Sequence, residues 1–294
     1  MTRLGHLSTE GARPERAEID RLPTAELVRL MNEDDQAVAL AVADAQAQIA
    51  AAIDAIVARL GRGGRLIYVG AGTAGRLGVL DASECGPTFN SDQVVGFLAG
   101  GPGAVSTATE SAEDDPDGAL PDLADVTADD AVVGISASGR TPYVLGALAH
   151  ARGRGALTVG LACNRESPLS AAVDQPIEVL VGPEFVAGST RLKAGTAQKL
   201  VLNMLSTLTM VRLGKTYGNL MVDVRVTNEK LRDRATRIVE QVAHASHEDA
   251  ARALAAAGDD AKLAAVMLRT GADADAARER LAAAQGQLRR ALGE

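Results

Sequence analysis

The stretch RLIYVGAGTAGRLGVLDASECGPTF, residues 65–89, sets the reading of the whole chain. Its β-branched opening LIYVG, a glycine turn and an apolar-periodic run spell strand, turn and helix. Gly70, Gly72 and Gly75 reproduce the G-x-G-x-x-G spacing of dinucleotide-binding turns. A nucleotide site of that kind also needs an acidic residue about 20 positions on, at the tip of the second strand, to take the ribose. Here the second strand, VVGFLAGG at 94–101, ends in small residues and glycine. The turn therefore reads as the holder of some other phosphate.

The third apolar run supplies the clue to which one. VVGISASGRTPYVLGAL, residues 132–148, places Ser136, Ser138, Gly139, Arg140 and Thr141 just ahead of an apolar helical segment. Hydroxyls and free backbone N–H groups at a helix N-terminus suit a phosphate monoester, and the helix dipole assists them. The bland alternative is that Ser138 or Thr141 caps the helix, with Pro142 in its first turn. A cap needs one hydroxyl, and three occur within six residues. Two phosphate-friendly turns at neighbouring strand ends predict one small ligand, a sugar phosphate, lined by Gly72, Thr73, Ser136, Ser138, Gly139 and Thr141.

Around these turns the apolar runs LIYVG, VVGFLAG, AVVGIS, ALTVGLAC and IEVLVG alternate with helix-like stretches. That rhythm predicts an α/β fold: a doubly wound, parallel, five-stranded sheet flanked by helices. Ligands in such folds bind beyond the carboxyl ends of the strands. Ahead of the sheet, residues 1–16 lack periodicity and read as a mobile arm. Thr24 is a candidate N-cap for a short helix, and residues 36–60 form an Ala-rich helix stopped by the glycines of GRGG at 61–64. Residues 194–214 read as a long buried helix ended by Gly214. The chain divides into an N-terminal arm and helices (1–56), a sugar-phosphate domain (57–221) and a small C-terminal helical region (222–294).

Composition narrows the partners. Apolar residues make up 47% of the chain but aromatics only 2%, so the core is built from small and aliphatic side chains that let helices approach a parallel sheet closely. A net charge of -8 excludes general nucleic-acid binding. Cys85 and Cys163 are isolated and fit no metal-ligand spacing, which predicts a reducing compartment. No apolar run of about 18 residues and no basic-then-apolar leader occurs, so no membrane contact and a cytoplasmic location are expected. His244 and His247, with Glu248 adjacent, lack further ligands nearby and read as surface residues, so no metal is assigned.

Four stretches carry a resemblance: YVGAGTAGRLGVLDASECGPTF, GISASGRTPYVLGAL, GSTRLKAGTAQKLVLNMLST and YGNLMVDVRVTNEKLRDRA. Together they resemble the N-acetylmuramic acid 6-phosphate etherases, sugar isomerase (SIS) domain proteins of bacterial cell-wall recycling. The similarity runs from about Ala17 to about Ile238. It implies a lyase that cleaves the ether between D-lactate and carbon 3 of the sugar, needs no cofactor, and works as a homodimer with sites near the subunit interface. It also implies two catalytic glutamates, which fall on Glu84 of DASEC and on Glu113 of TESAEDD.

Such a pair suits the chemistry. Lactate leaves by elimination once the carbon-2 proton, acidified in the open-chain aldehyde, has been removed; water then adds to the unsaturated aldehyde. One carboxylate is the base and one carboxylic acid protonates the departing oxygen. The sequence CGP at 85–87 predicts that the helix stops just after Glu84. A negative helix end disfavours a carboxylate there, which makes Glu84 the acid and Glu113 the base; the reverse assignment stays open. Without the resemblance, Glu113 would be one acid among several on a solvated face and Glu84 an ordinary helix-end residue.

The chain departs from the family at GAGTAGR, where Ala74 stands in place of a serine, and at SASGRT, where Ser136 adds a hydroxyl. Ala187 stands where a threonine is common. One hydroxyl relocated between the two turns would leave the phosphate donor count unchanged; drift is the alternative. Two other readings compete: a non-catalytic sugar-phosphate sensor resembling the glucokinase regulatory protein, and an aldose–ketose isomerase on the same scaffold.

Overall fold

A computed structural model describes residues 7–107 and 109–294 of the chain. Two compact units emerge, one of Met1–Ser83 with Gln93–Ser206 and one of Glu84–Asp92 with Thr207–Glu294.

The first unit contains the sheet. Its strands are β1 (Leu66–Gly70), β2 (Val94–Leu98), β3 (Ala131–Ile135), β4 (Leu157–Ala162) and β5 (Gln175–Glu178). All pair in parallel, in the order β2-β1-β3-β4-β5. The sheet is therefore doubly wound, and the direction of winding reverses between β1 and β3, where a crevice opens beyond the strand ends. β1, β3 and β4 are buried along their whole length, as expected of central parallel strands covered on both faces.

The flanking helices are α1 (Thr24–Asp44), α2 (Gln46–Leu60), α3 (Gly72–Phe89), α4 (Pro142–Gly153), α5 (Pro168–Ala172) and α6 (Lys193–Arg212). Neighbouring β3 residues show that α3 and α4 lie on opposite faces. A methyl group on Gly134 would come within 2.5 Å of Leu148 Cδ1 on α4, whereas Ile135 Cδ1 packs beside Gly78 on α3. Successive strand residues point to opposite sides, so each helix owns one face. Helix α2 covers β3, β4 and β5. No single helix among the described residues is long and apolar enough to cross a membrane; α1 and α2 meet that combination of length and composition only together, as a pair bent by 58°.

The second unit holds α7 (Glu229–Ala243), α8 (His247–Ala256), α9 (Ala261–Thr270), α10 (Ala274–Ala283) and α11 (Leu288–Leu292). Asn228, Ser246, Asp260 and Asp273 each cap the helix that follows by accepting the N–H three residues on. The core of this unit gathers Val239, Val242, Leu254, Leu263, Val266 and Leu288.

Several expectations are corrected. Thr24 begins α1 rather than capping it; Pro23 is the N-cap and no side chain bonds there. The two helices expected across 24–60 meet at Ala45 instead of residue 36. β5 occupies Gln175–Glu178, earlier than the run IEVLVG, because an edge strand tolerates Pro176. The arm is also not free over its described part. Leu7 and Thr9 are buried, and Arg13 pairs with Asp34 of α1; residues 1–6 of the expected arm lie outside the described residues. Finally, α3 does not stop at Cys85–Pro87 but continues to Phe89 with Pro87 inside its last turn. Cys85 and Phe89 lie one turn apart and are both buried, and that packing overrides the local breakers.

Candidate active site

The glycines of the opening stretch serve packing. A Cβ on Gly75 would lie 2.4 Å from Gly70 O and 2.5 Å from Leu98 Cδ1, so α3 can fold back onto its own strand only with glycine there. This close approach leaves the first turn of α3 open beyond the end of β1. Ala71, Gly72, Thr73 and Ala74 line the cleft found there, which has a volume of about 360 Å³.

The turn after β3 forms the facing wall. Ser136, Ala137, Ser138, Arg140 and Thr141 line the same cleft. Gly139 sits behind them with φ +68°, in a position where a Cβ would meet Ser167 Oγ at 2.4 Å. Its N–H donates to Ser136 Oγ at 3.1 Å. Ser136 is 3% exposed, and its hydroxyl lies 2.8 Å from Thr141 Oγ1 and 3.3 Å from Ser138 Oγ. Thr141 holds the N-cap position of α4, yet its side chain caps nothing. The three hydroxyls thus form one hydrogen-bonded cluster at a helix N-terminus, and the capping alternative fails for Thr141.

Glu113 lies on a short 3-10 helix, Glu110–Asp114, and lines this cleft together with Asp114. It also borders a smaller neighbouring cavity shared with Gly72 and Arg76. The fold thus brings Glu113 together with Gly72, Thr73, Ser136, Ser138 and Thr141. It does not bring Glu84 to the same wall: Glu84 is exposed, twelve residues beyond Gly72 on α3, and is absent from the cleft lining. Because α3 runs on to Phe89, the helix-end argument for Glu84 as the acid loses its premise.

Sequence reasoning missed four contributors. Leu7 and Glu10 of the N-terminal segment line the cleft, as do Thr190 and Gln198. The segment is held by Asn164, just past β4. Asn164 Oδ1 accepts from Ser8 N–H and Oγ, each at 2.9 Å, while its Nδ2 donates to Thr9 Oγ1 and to Ala137 O, each at 3.0 Å. One buried amide therefore ties residues 8 and 9 to the hydroxyl turn. No local pattern could reveal that link, which spans about half the chain. Thr190 lay within the quoted GSTR stretch, and that was the available signal.

The basic residues divide in role. Arg76 donates from Nε to Val105 O at 3.0 Å. Lys193 is buried and turns inward, its Nζ donating to Val181 O at 2.7 Å, and burial holds its pKa below the ordinary lysine value. Glu184, also buried, accepts the N–H groups of Lys193 and Ala194 at the start of α6. That helix end is already occupied by a carboxylate of the protein itself. His247 pairs with Glu240, and among the described residues no group of three or more His, Cys, Asp or Glu is placed to hold a metal.

Comparison with known proteins agrees with the architecture. The sequence pattern of the glucokinase regulatory protein N-terminal SIS domain matches residues 48–152, that of the SIS domain matches 106–208, and that of the C-terminal lid domain of glucokinase regulatory protein matches 218–262. Among solved structures, a phosphoheptose isomerase from Francisella tularensis superposes with a TM-score of 0.53 at 19% identity, covering 65% of this chain and 100% of that one; this likeness concerns the fold. Two relatives named N-acetylmuramic acid 6-phosphate etherase are similar over nearly the full length. The one from Rubrobacter xylanophilus is 62% identical over 99% of this chain and 98% of its own. The one from Streptomyces avermitilis is 61% identical over 97% of this chain and 93% of its own.

Proposed function

Because the chain belongs to the N-acetylmuramic acid 6-phosphate etherase family, we propose that its cleft holds the phosphorylated amino sugar and that Glu113 and Glu84 divide the proton transfers. The enzyme is a carbon–oxygen lyase that converts N-acetylmuramic acid 6-phosphate and water to N-acetylglucosamine 6-phosphate and D-lactate. The sensor and isomerase alternatives are not favoured, since both etherase relatives match almost end to end at more than 60% identity.

The observation that carries the reading of the site is the cleft shared by Glu113 and the Ser136–Ser138–Thr141 cluster. The hydroxyls, Thr73 and the N-terminal N–H groups of α3 and α4 supply donors for a phosphate dianion, and both helix dipoles favour negative charge there. A sugar anchored by its 6-phosphate then lies along the wall that carries Glu113.

The reaction runs on the open-chain aldehyde. Glu113 takes the carbon-2 proton, and the electron pair moves to form the carbon-2–carbon-3 double bond. The carbon-3–oxygen bond breaks, and Glu84 gives its proton to the leaving lactate oxygen. Water then adds across the double bond, its oxygen to carbon 3 and a proton to carbon 2. Placement of Glu113 beside the sugar cleft supports its assignment as the base. We further propose a homodimer in which Glu84, exposed on α3, serves the cleft of the second copy, and a cytoplasmic role in peptidoglycan recycling, where lactyl amino sugars arise.

The deciding experiment follows D-lactate release and carbon-2 exchange with heavy water in parallel. Glu113→Gln should lose both, each by about 10²–10⁴-fold. Glu84→Gln should lose release yet keep exchange. Exchange that survives in Glu113→Gln and vanishes in Glu84→Gln would reverse the assignment.

A further inference from the structure

Gln198 carries a further inference. It lies on α6, is 1% exposed, and forms part of the cleft wall, yet its Nε2 meets no acceptor among the described residues. Gly195, one turn earlier on the same helix face, packs on Thr73 of α3, with its Cβ position 3.4 Å from Thr73 Cγ2. The amide therefore sits beside the first turn of α3, among the groups that surround the ligand. Buried amide donors are almost always paired, and leaving one unpaired costs free energy that a packing role does not return.

The geometry points to Gln198 as a hydrogen-bonding residue for the sugar part of the ligand. The phosphate already has its own donors in the hydroxyl cluster and the two helix N-termini. A carboxamide both donates and accepts, which matches the hydroxyl, carbonyl and acetamido groups of an amino sugar better than it matches a dianion that only accepts. The inference rests on the sugar-phosphate reading of the cleft.

The test uses the full-length protein and two probes, N-acetylglucosamine 6-phosphate and inorganic phosphate. Gln198→Met keeps the length of the side chain and removes the amide. It should weaken sugar-phosphate binding about tenfold while phosphate affinity stays within about twofold. The unliganded variant should melt at the wild-type temperature or above, because an unpaired buried donor has been removed. If the Met variant does not fold, Gln198→Ala supports the same comparison of probes. Unchanged sugar-phosphate affinity would overturn the inference, as would an equal loss of phosphate binding. A melting temperature that falls together with affinity would make the amide a packing group and overturn it as well. A wild-type protein that binds neither probe would instead overturn the reading of the cleft.

Discussion

Ser136 Oγ lies 2.8 Å from Thr141 Oγ1, closing the turn between β3 and α4 across five residues. The serine also accepts the N–H of Gly139 and touches Ser138 Oγ, so it sets the positions of both other hydroxyls. Ser136→Ala frees Thr141 and Ser138 to rotate. The KM for N-acetylmuramic acid 6-phosphate should rise about fivefold to tenfold with kcat within about twofold, the pattern of lost ground-state binding. An unchanged KM would leave the extra hydroxyl as drift and dismiss its relocation from position 74.

Glu113 lines the cleft and Glu84 does not, which gives the two inactive variants complementary defects. Mixing Glu84→Gln with Glu113→Gln under conditions that exchange subunits should restore D-lactate release to about a quarter of the wild-type rate. Half of a random mixture is heterodimer, and each heterodimer has one site with both glutamates intact. Mixtures as inactive as the parents would place both glutamates in one subunit's site.

Gly139 adopts φ +68°, and a Cβ there would sit 2.4 Å from Ser167 Oγ. Gly139→Ala meets both a left-handed backbone and a backbone-proximal neighbour. The expected loss is about 2–3 kcal/mol of stability, read from urea unfolding, with a KM raised more than in Ser136→Ala because the whole turn moves. A variant of wild-type stability would show that Ser167 yields easily.

Asp130 is buried at the foot of β3, where its carboxylate accepts the Arg65 guanidinium, the Arg65 N–H and the Thr127 N–H. Burial alone would raise its pKa, but these hydrogen bonds outweigh it and hold the group below the usual 3.8. A carboxyl whose folded pKa is depressed stabilises the protein above its unfolded pKa and loses that contribution as pH falls through the folded value. Asp130→Asn should therefore cost about 2 kcal/mol at pH 7, a gap that narrows as unfolding is repeated below pH 3.8. A gap independent of pH would exclude the charge as its cause.

Much of this was legible in the chain because it is local. Four of the five strands follow directly from short apolar runs, and Ser136, Ser138 and Thr141 betray themselves by crowding one turn. The illegible parts are those set by distant contacts. Nothing within DASECGPTF announces that buried Cys85 and Phe89 carry the helix past Gly86 and Pro87. Gln198 is one of several polar residues along α6 until that helix is laid beside Thr73. The same holds for the N-terminal segment, whose polar composition gave no sign that Asn164 would clasp it.

That clasp also orders events during synthesis. Ser8 leaves the ribosome before its partner Asn164, which follows 156 residues later. At roughly 5–20 residues per second, Ser8 and Thr9 wait about 8–30 s for the amide that clasps them. The cleft wall to which Leu7 and Glu10 belong is therefore completed only after four of the five strands have been made.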